Sequence, residues 1–452
     1  MSTEEPTNRV KTPATPPPRS LVANTIYAVG GTGVFHLCQL GVVVLLTKFS
    51  TPELTGQYFF ALAVATPVVL LLGLELRGAL VSDVAGHFTV GAYLALRTRM
   101  IALAGALLLV VAAWRALVDP RPAAVLILAG VFAARSAWSL AEVGWGTFQR
   151  RERLDLLAAA YVLRGVAALL PFAILLPLFA PHAGQRPQRA ANAVALAVAL
   201  HALGFVLVYY LFDRPRVFDP RQWDLSWSPP ALRRLAVQTL PLGLVALFIN
   251  LCDSFPRWVF ESGRVPDGPA QLGYFGALAY LTLVGNLIVI QASTAAANRL
   301  SLYYQRDLGA FLRLGVRLLT LALAIGAGVL VFALLYGRWI LGVLYTADYA
   351  RFETEFHIIV LAHCLALLTN VLGAATTQMR IFWVQVPIQL VTLAVTVVAA
   401  VLLIPGAHPV LGAAQTALIR AGTQLALYAG CAVLGVMVRD RILKQQRAGS
   451  RR

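Results

Sequence analysis

The sequence predicts an all-α polytopic membrane protein: about twelve transmembrane helices in two six-helix lobes around a central cavity. Three observations carry this reading. Of 452 residues, 59% are hydrophobic and only 13% are charged, about half the charged share of a soluble domain. Twelve separate apolar runs each come close to the ~20 residues that a bilayer core requires. The basic residues are also split unequally between alternate connections, as the positive-inside rule demands of a spanning chain.

The runs fall at approximately 22–47, 56–81, 99–114, 122–143, 156–180, 190–212, 236–260, 271–297, 311–336, 354–378, 381–404 and 411–437. Before them, residues 1–20 are polar and rich in proline (Pro13, Pro16, Pro17, Pro18). With no convincing cleavage site, they read as a disordered cytoplasmic tail and not as a signal peptide. The longest interior connection, 213–234, carries Pro215, Pro220, Pro229 and Pro230. It separates an N-terminal lobe (21–212) from a C-terminal lobe (235–437), and residues 438–452 form a basic tail. Twenty-four of the 37 basic residues then fall on the side of the termini and nine on the other. That bias places both termini in the cytoplasm and requires an even number of spans, so the net charge of +17 needs no nucleic-acid partner.

An internal repeat supports the two lobes. Gly56-Gln57-Tyr58-Phe59-Phe60-Ala61-Leu62-Ala63 follows the first span, and Gly273-Tyr274-Phe275-Gly276-Ala277-Leu278-Ala279 follows the seventh. Gln149-Arg150-Arg151 and Gln378-Met379-Arg380 echo each other at the same six-helix offset. An even offset gives two lobes of like orientation. Gly30-Gly31-x-Gly33 in the first span and Pro241-x-Gly243 in the seventh also occupy matching places. They read either as helix interruptions at a moving element or as tight packing positions.

Four arginines remain, counted on neither side and lying within spans: Arg77, Arg135, Arg164 and Arg420. A cation in hydrocarbon costs at least about 2.5–3.5 kcal/mol, so each needs a partner or a wet cavity. The functional reading is a cationic lumen for an anionic headgroup, for which a permanently charged planar guanidinium is suited. The alternative is local neutralisation, with Glu75 beside Arg77 and Glu142 on the helical face of Arg135. Asp253 and Arg257, four apart in the seventh span, read as a self-neutralised pair, or else as an outer gate or a cation-coupling site. His36, His201 and His363 read as packed polar residues, and Cys38, Cys252, Cys364 and Cys431 as core residues without metal spacing. No Gly-rich phosphate loop, His-Glu-x-x-His or Cys-x-x-Cys occurs, so no catalytic, metal or cofactor site is assigned. The short outer loops argue against a polysaccharide polymerase or ligase.

Leu54-Thr55-Gly56-Gln57-Tyr58, Gly73-Leu74-Glu75-Leu76-Arg77, Pro241-Leu242-Gly243, Asp253, Leu272-Gly273-Tyr274-Phe275 and Ile404-Pro405 followed by Leu411-Gly412-Ala413-Ala414 carry a resemblance. The chain resembles the polysaccharide transporter (Wzx-type O-antigen flippase) branch of the multidrug/oligosaccharidyl-lipid/polysaccharide exporter superfamily, over about residues 21–437. The resemblance implies a flippase of the bacterial inner membrane, not an enzyme. Its cargo would be an undecaprenyl-diphosphate-linked oligosaccharide for O-antigen, capsule or exopolysaccharide, carried by alternating access. It implies lumen arginines on the headgroup, membrane lipids around the protein, and polymerase and chain-length machinery as partners. Coupling to H+ or Na+ is implied too, with Asp253 the strongest acidic candidate. A cation-coupled drug exporter of the same superfamily is the competing reading. Such an exporter is expected to bury acids, whereas these spans are net basic.

Overall fold

The computed structural model describes residues 21–83, 87–118, 122–180, 184–217, 229–379 and 382–449, and every regular element among them is helical. The first half comprises α1 (Leu21–Phe49), α2 (Pro52–Gly73), α3 (Leu76–Ser82), α4 (Val90–Val118), α5 (Pro122–Arg150), α6 (Leu154–Phe179) and α7 (Pro187–Val208). A π-turn, Tyr209–Asp213, joins α7 to the short α8 (Arg214–Val217). The second half comprises α9 (Pro229–Phe260), α10 (Gly268–Leu281), α11 (Leu283–Arg306), α12 (Leu308–Leu344), α13 (Ala347–Ala350), α14 (Glu353–Gln378), α15 (Phe382–Leu403) and α16 (Pro409–Gly449). Eleven helices among the described residues are long and apolar enough to cross a membrane. The expected eighth span is built from α10 and α11 together. The chain is a multi-pass membrane protein.

Local chemistry sets where the helices begin. Thr51 caps α2 by accepting the Leu54 N–H at 3.4 Å, with Pro52 in the first turn. Asp307 caps α12 by accepting the Ala310 N–H at 3.0 Å, which satisfies an otherwise orphaned donor. Proline opens α5, α7, α9 and α16, where its missing N–H leaves no bond unmade. Leu109, Val110 and Leu335 stand exposed on the outside of the bundle, as expected where the surrounding solvent is lipid.

The structure corrects several expectations. The third span begins at Val90 and not near 99, so Arg97 lies inside a helix and not on a cytoplasmic loop. The second span breaks after Gly73, where Leu74 and Glu75 both adopt left-handed backbone (φ 52° and 47°) before α3 begins. Such residues cost on the order of 1–2 kcal/mol each, so packing must hold them. By contrast, α1 and α9 run unbroken through Gly30-Gly31-Thr32-Gly33 and Pro241-Leu242-Gly243. Tight packing accounts for Gly31 and Gly243, whereas a Cβ on Gly30 or Gly33 would meet nothing within 4 Å. A Cβ on Gly31 would lie 2.5 Å from the Ala158 Cα, and one on Gly243 would lie 2.9 Å from the Leu71 carbonyl. Asp213, expected to open the linker, is fully buried. At the C-terminus, α16 continues to Gly449, well past the expected end of its span. The tail at 1–20 and the middle of the linker, 218–228, lie outside the described residues.

The lobes meet through the two halves of the repeat. A Cβ on Gly56 would fall within the Pro269 carbonyl, and one on Gly273 within the Pro52 carbonyl. The contact is reciprocal, as two like-oriented repeats facing one another require. Only glycine lets the backbones of α2 and α10 approach this closely. Phe59 then packs over Gly276, and the Trp258 indole donates to the Ala63 carbonyl at 3.2 Å. At the other end of the second lobe, Arg439 of α16 donates to the Gln305 carbonyl at 2.6 Å, and Tyr304 donates to the Gly435 carbonyl at 3.0 Å. The Arg439 bond caps the C-terminus of α11, and the Tyr304 bond ties that end to α16.

Candidate substrate cavity

A cavity of about 750 Å³ lies between the lobes. It is walled by α1, α2, α5 and α7 on one side, and by α9, α10, α11, α14, α15 and α16 on the other. It extends along α14 to Thr377 and across to Gln385. The Gly56–Gly273 crossing lies toward the opposite end of the bundle, beside the first turns of α2 and α10. Its ionisable lining among the described residues is Arg135, Arg257, Arg420 and Asp253, with His36, His201 and His363. Three guanidinium groups face one carboxylate, so with neutral imidazoles the cavity holds a clear excess of positive charge. Aromatic rings (Phe35, Trp138, Tyr58, Tyr280, Tyr428) and amides (Gln39, Asn250, Gln389, Gln424) supply the rest of the polar and stacking surface.

The lining arginines differ in what holds them. Arg135 projects from the middle of α5 with no acidic partner among the described residues. It is close enough to Arg257 for the two charges to act on each other. Arg257 turns toward the Phe59 ring, 5.9 Å from its centroid, and its Nε is buried without a partner among the described residues. Asp253 does not take Arg257, as their spacing allows; it reaches across to Arg420 on α16. Gln389 donates to the Tyr428 hydroxyl at 3.1 Å and accepts from Gln424 at 3.4 Å, fixing amides on the same wall.

Arg77 and Arg164, expected in the lumen, are placed outside it. Arg164 is fully buried and donates to Asp213 at 2.5 Å, with its guanidinium 4.9 Å from the Trp145 ring centroid. Trp145 also donates to Asp213, at 3.1 Å. The π-turn after α7 carries Asp213 back into the lobe, so the cation has its partner there and needs no water. Arg77 donates to Tyr161 and Gln149, both at 3.4 Å, and not to the neighbouring Glu75. Glu142 likewise does not serve Arg135. It accepts from Trp138 at 3.2 Å and from Arg97 at 3.4 Å. Arg97 donates to Ser139 at 2.8 Å as well, and its guanidinium lies against Gly73 at the broken helix. Glu142 is thus a support behind the cavity wall, one bond removed from Trp138.

Sequence reasoning missed Arg97 and Asp213 as buried charges. Arg97 adjoins an apolar run with no acid near it in sequence, a signal that could have found it; Asp213 is masked by the neighbouring Arg214 and Arg216. His201 and His363 are packed polar residues, as expected, but they are packed in the cavity wall.

Two helical lobes enclose a shared basic cavity and close on one another through their repeated segments. No family model matches the chain. The capsular polysaccharide biosynthesis protein CapF of Staphylococcus aureus is 21% identical over 401 residues, 88% of this chain and 95% of that protein. The inward-facing conformation of a multidrug resistance MATE family transporter of the MOP superfamily aligns with a TM-score of 0.65 at 14% identity. That alignment covers 91% of this chain and 96% of that one. The outward-facing conformation of a MATE family transporter aligns at 0.54 and 16% identity, over 94% and 96% of the two chains. The fold is similar to that of these MATE structures.

Proposed function

We propose that this chain is a flippase that moves an undecaprenyl-diphosphate-linked oligosaccharide across the bacterial cytoplasmic membrane by alternating access. The single observation that carries this reading is the excess of unpaired guanidinium charge in the cavity shared by the lobes. A diphosphate diester brings two negative charges; among the described residues neither Arg135 nor Arg257 forms an ion pair, although the Asp253 charge one turn away acts on Arg257. Hydrogen bonds between charged groups contribute about 1.5–3 kcal/mol each, enough for two arginines to select such a headgroup. The amides and rings of the walls suit sugar hydroxyls and apolar sugar faces. The likeness to a capsular polysaccharide biosynthesis protein supports the same substrate class. A drug exporter for cations is disfavoured, because a cationic drug would enter a cavity of its own charge.

In this reading the arginine-rich side, with both termini, faces the cytoplasm, and the cavity receives its cargo from the inner leaflet. The test is genetic and chemical. A strain lacking the chain is expected to lose surface polymer and to accumulate completed lipid-linked repeat units on the cytoplasmic face, detectable in inverted vesicles. Restoration by the wild-type gene but not by Arg135→Ala, at equal protein level, is the expected result. Normal polymer with no trapped intermediate contradicts the proposal.

A further inference from the structure

The pair formed by Asp253 and Arg420 has no obvious use in a site for anions. A carboxylate in such a cavity repels the cargo and occupies one of its three cations. Nor is it needed to make Arg420 tolerable in the membrane, because Arg135 stands in the same cavity with no acidic partner among the described residues. Its exposure separates it from a structural ion pair. The Asp253 side chain is 50% exposed and that of Arg420 is 25% exposed, whereas Arg164 and Asp213 are both at 0%. A pair this open to water is held less firmly than a sealed one and can be exchanged. Arg257 lies one turn further along the same helix, yet it points to Phe59 and leaves its Nε without a partner among the described residues.

We infer that Asp253 is a built-in competitor for the anionic headgroup, holding Arg420 in the empty cavity and surrendering it when a phosphate arrives. This rests on the flippase reading above. A phosphate presents a planar guanidinium with two acceptor oxygens and binds it more strongly than one carboxylate oxygen does. Exchange at Arg420 therefore runs forward when cargo enters, with Arg135 and Arg257 adding their attraction. On release, Asp253 returns to Arg420, so the departing anion leaves behind no naked cation. Asp253 weakens binding and in return speeds release. Equal tightening of every state would slow a carrier, since only differences between states drive a cycle.

The test uses purified full-length protein, with undecaprenyl-diphosphate-linked N-acetylglucosamine as the probe. Asp253→Asn keeps the shape and an acceptor oxygen but removes the charge; Asp253→Ala removes both the charge and the acceptor. Each is expected to lower Kd about tenfold, and in proteoliposome transport to lower KM and kcat together. A merely structural pair would instead lose affinity and stability when broken. In an Arg420→Gln background, Asp253→Asn is expected to change Kd by less than about threefold, because the contested cation is gone. Unchanged or weaker binding in both Asp253 variants, with normal binding by the wild type, overturns the competitor and leaves the flippase reading standing. Absence of saturable binding by the wild type overturns both.

Discussion

The Arg164–Asp213 and Asp253–Arg420 pairs, described in the first and second halves of the bundle, differ in their access to water. Arg164–Asp213 in the first lobe is sealed, stacked on Trp145 and doubly hydrogen-bonded. Asp253–Arg420 in the second opens on the cavity. The same chemistry thus serves two ends. A buried pair becomes essential once built, because removing one partner strands a charge. An exposed pair can be exchanged for a ligand. Charge within a span is therefore no sufficient sign of a binding site; water must reach it.

The largest expected effect falls on the sealed pair. Arg164→Ala or Asp213→Ala is expected to cost about 3–5 kcal/mol and to remove most protein from the membrane. The double replacement Arg164→Met/Asp213→Leu is expected to recover much of it. Quantitative blotting and thermal melting in detergent check this, and normal levels of both single variants would erase the contrast between the pairs.

The contact between lobes comes next. Gly56→Leu or Gly273→Leu drives a side chain into the opposing carbonyl, at a cost of about 1–3 kcal/mol. The closed end is expected to be forced apart, so that a cysteine introduced at Phe59 labels faster with a hydrophilic maleimide. Unchanged labelling would mean that the crossing does not govern access.

Arg135→Ala is expected to weaken diphosphate binding roughly tenfold or more, from the loss of about 1.5–3 kcal/mol, with no fall in melting temperature. Arg135→Lys should recover part of the affinity. Trp145→Phe removes one hydrogen bond to Asp213 and should cost about 1 kcal/mol, read as a small fall in melting temperature.

The smallest effect depends on pH. Partial burial would raise the Asp83 carboxyl, but hydrogen bonds from the His87 and Phe88 N–H groups, the His87 ring and the Tyr93 hydroxyl outweigh it. They hold the carboxyl at about 2, against an ordinary 3.8. The folded form thus prefers the ionised acid, so its stabilisation is complete above pH ~4 and fades as pH falls toward 2. Asp83→Asn should flatten the melting temperature of detergent-solubilised protein across that window.

The fold class was legible because lipid imposes it: length, apolarity and arginine placement are one-dimensional signals. The glycine repeat was legible too, since Gly56 and Gly273 sit where backbones must touch. Helix ends were less so. Arg97 and Arg99 interrupt the apolar run from Val90, and the cut made there hid a guanidinium whose partner, Glu142, lies on another helix. The left-handed step at Leu74 and Glu75 has no glycine at either position, so tertiary packing decides it. Of the four span arginines, Arg135 and Arg420 line the cavity, while Arg77 and Arg164 have partners distant in sequence. Pairing across 49 residues, as between Arg164 and Asp213, leaves no local trace.

The most direct test of the central claim is equilibrium binding of an undecaprenyl-diphosphate-linked glycan to the purified protein, wild type against Arg135→Ala/Arg257→Ala. The account predicts saturable, salt-sensitive binding by the wild type and its loss in a double variant of unchanged melting temperature. Equal binding by the two proteins, or preference of the wild type for a lipophilic cation, would contradict it.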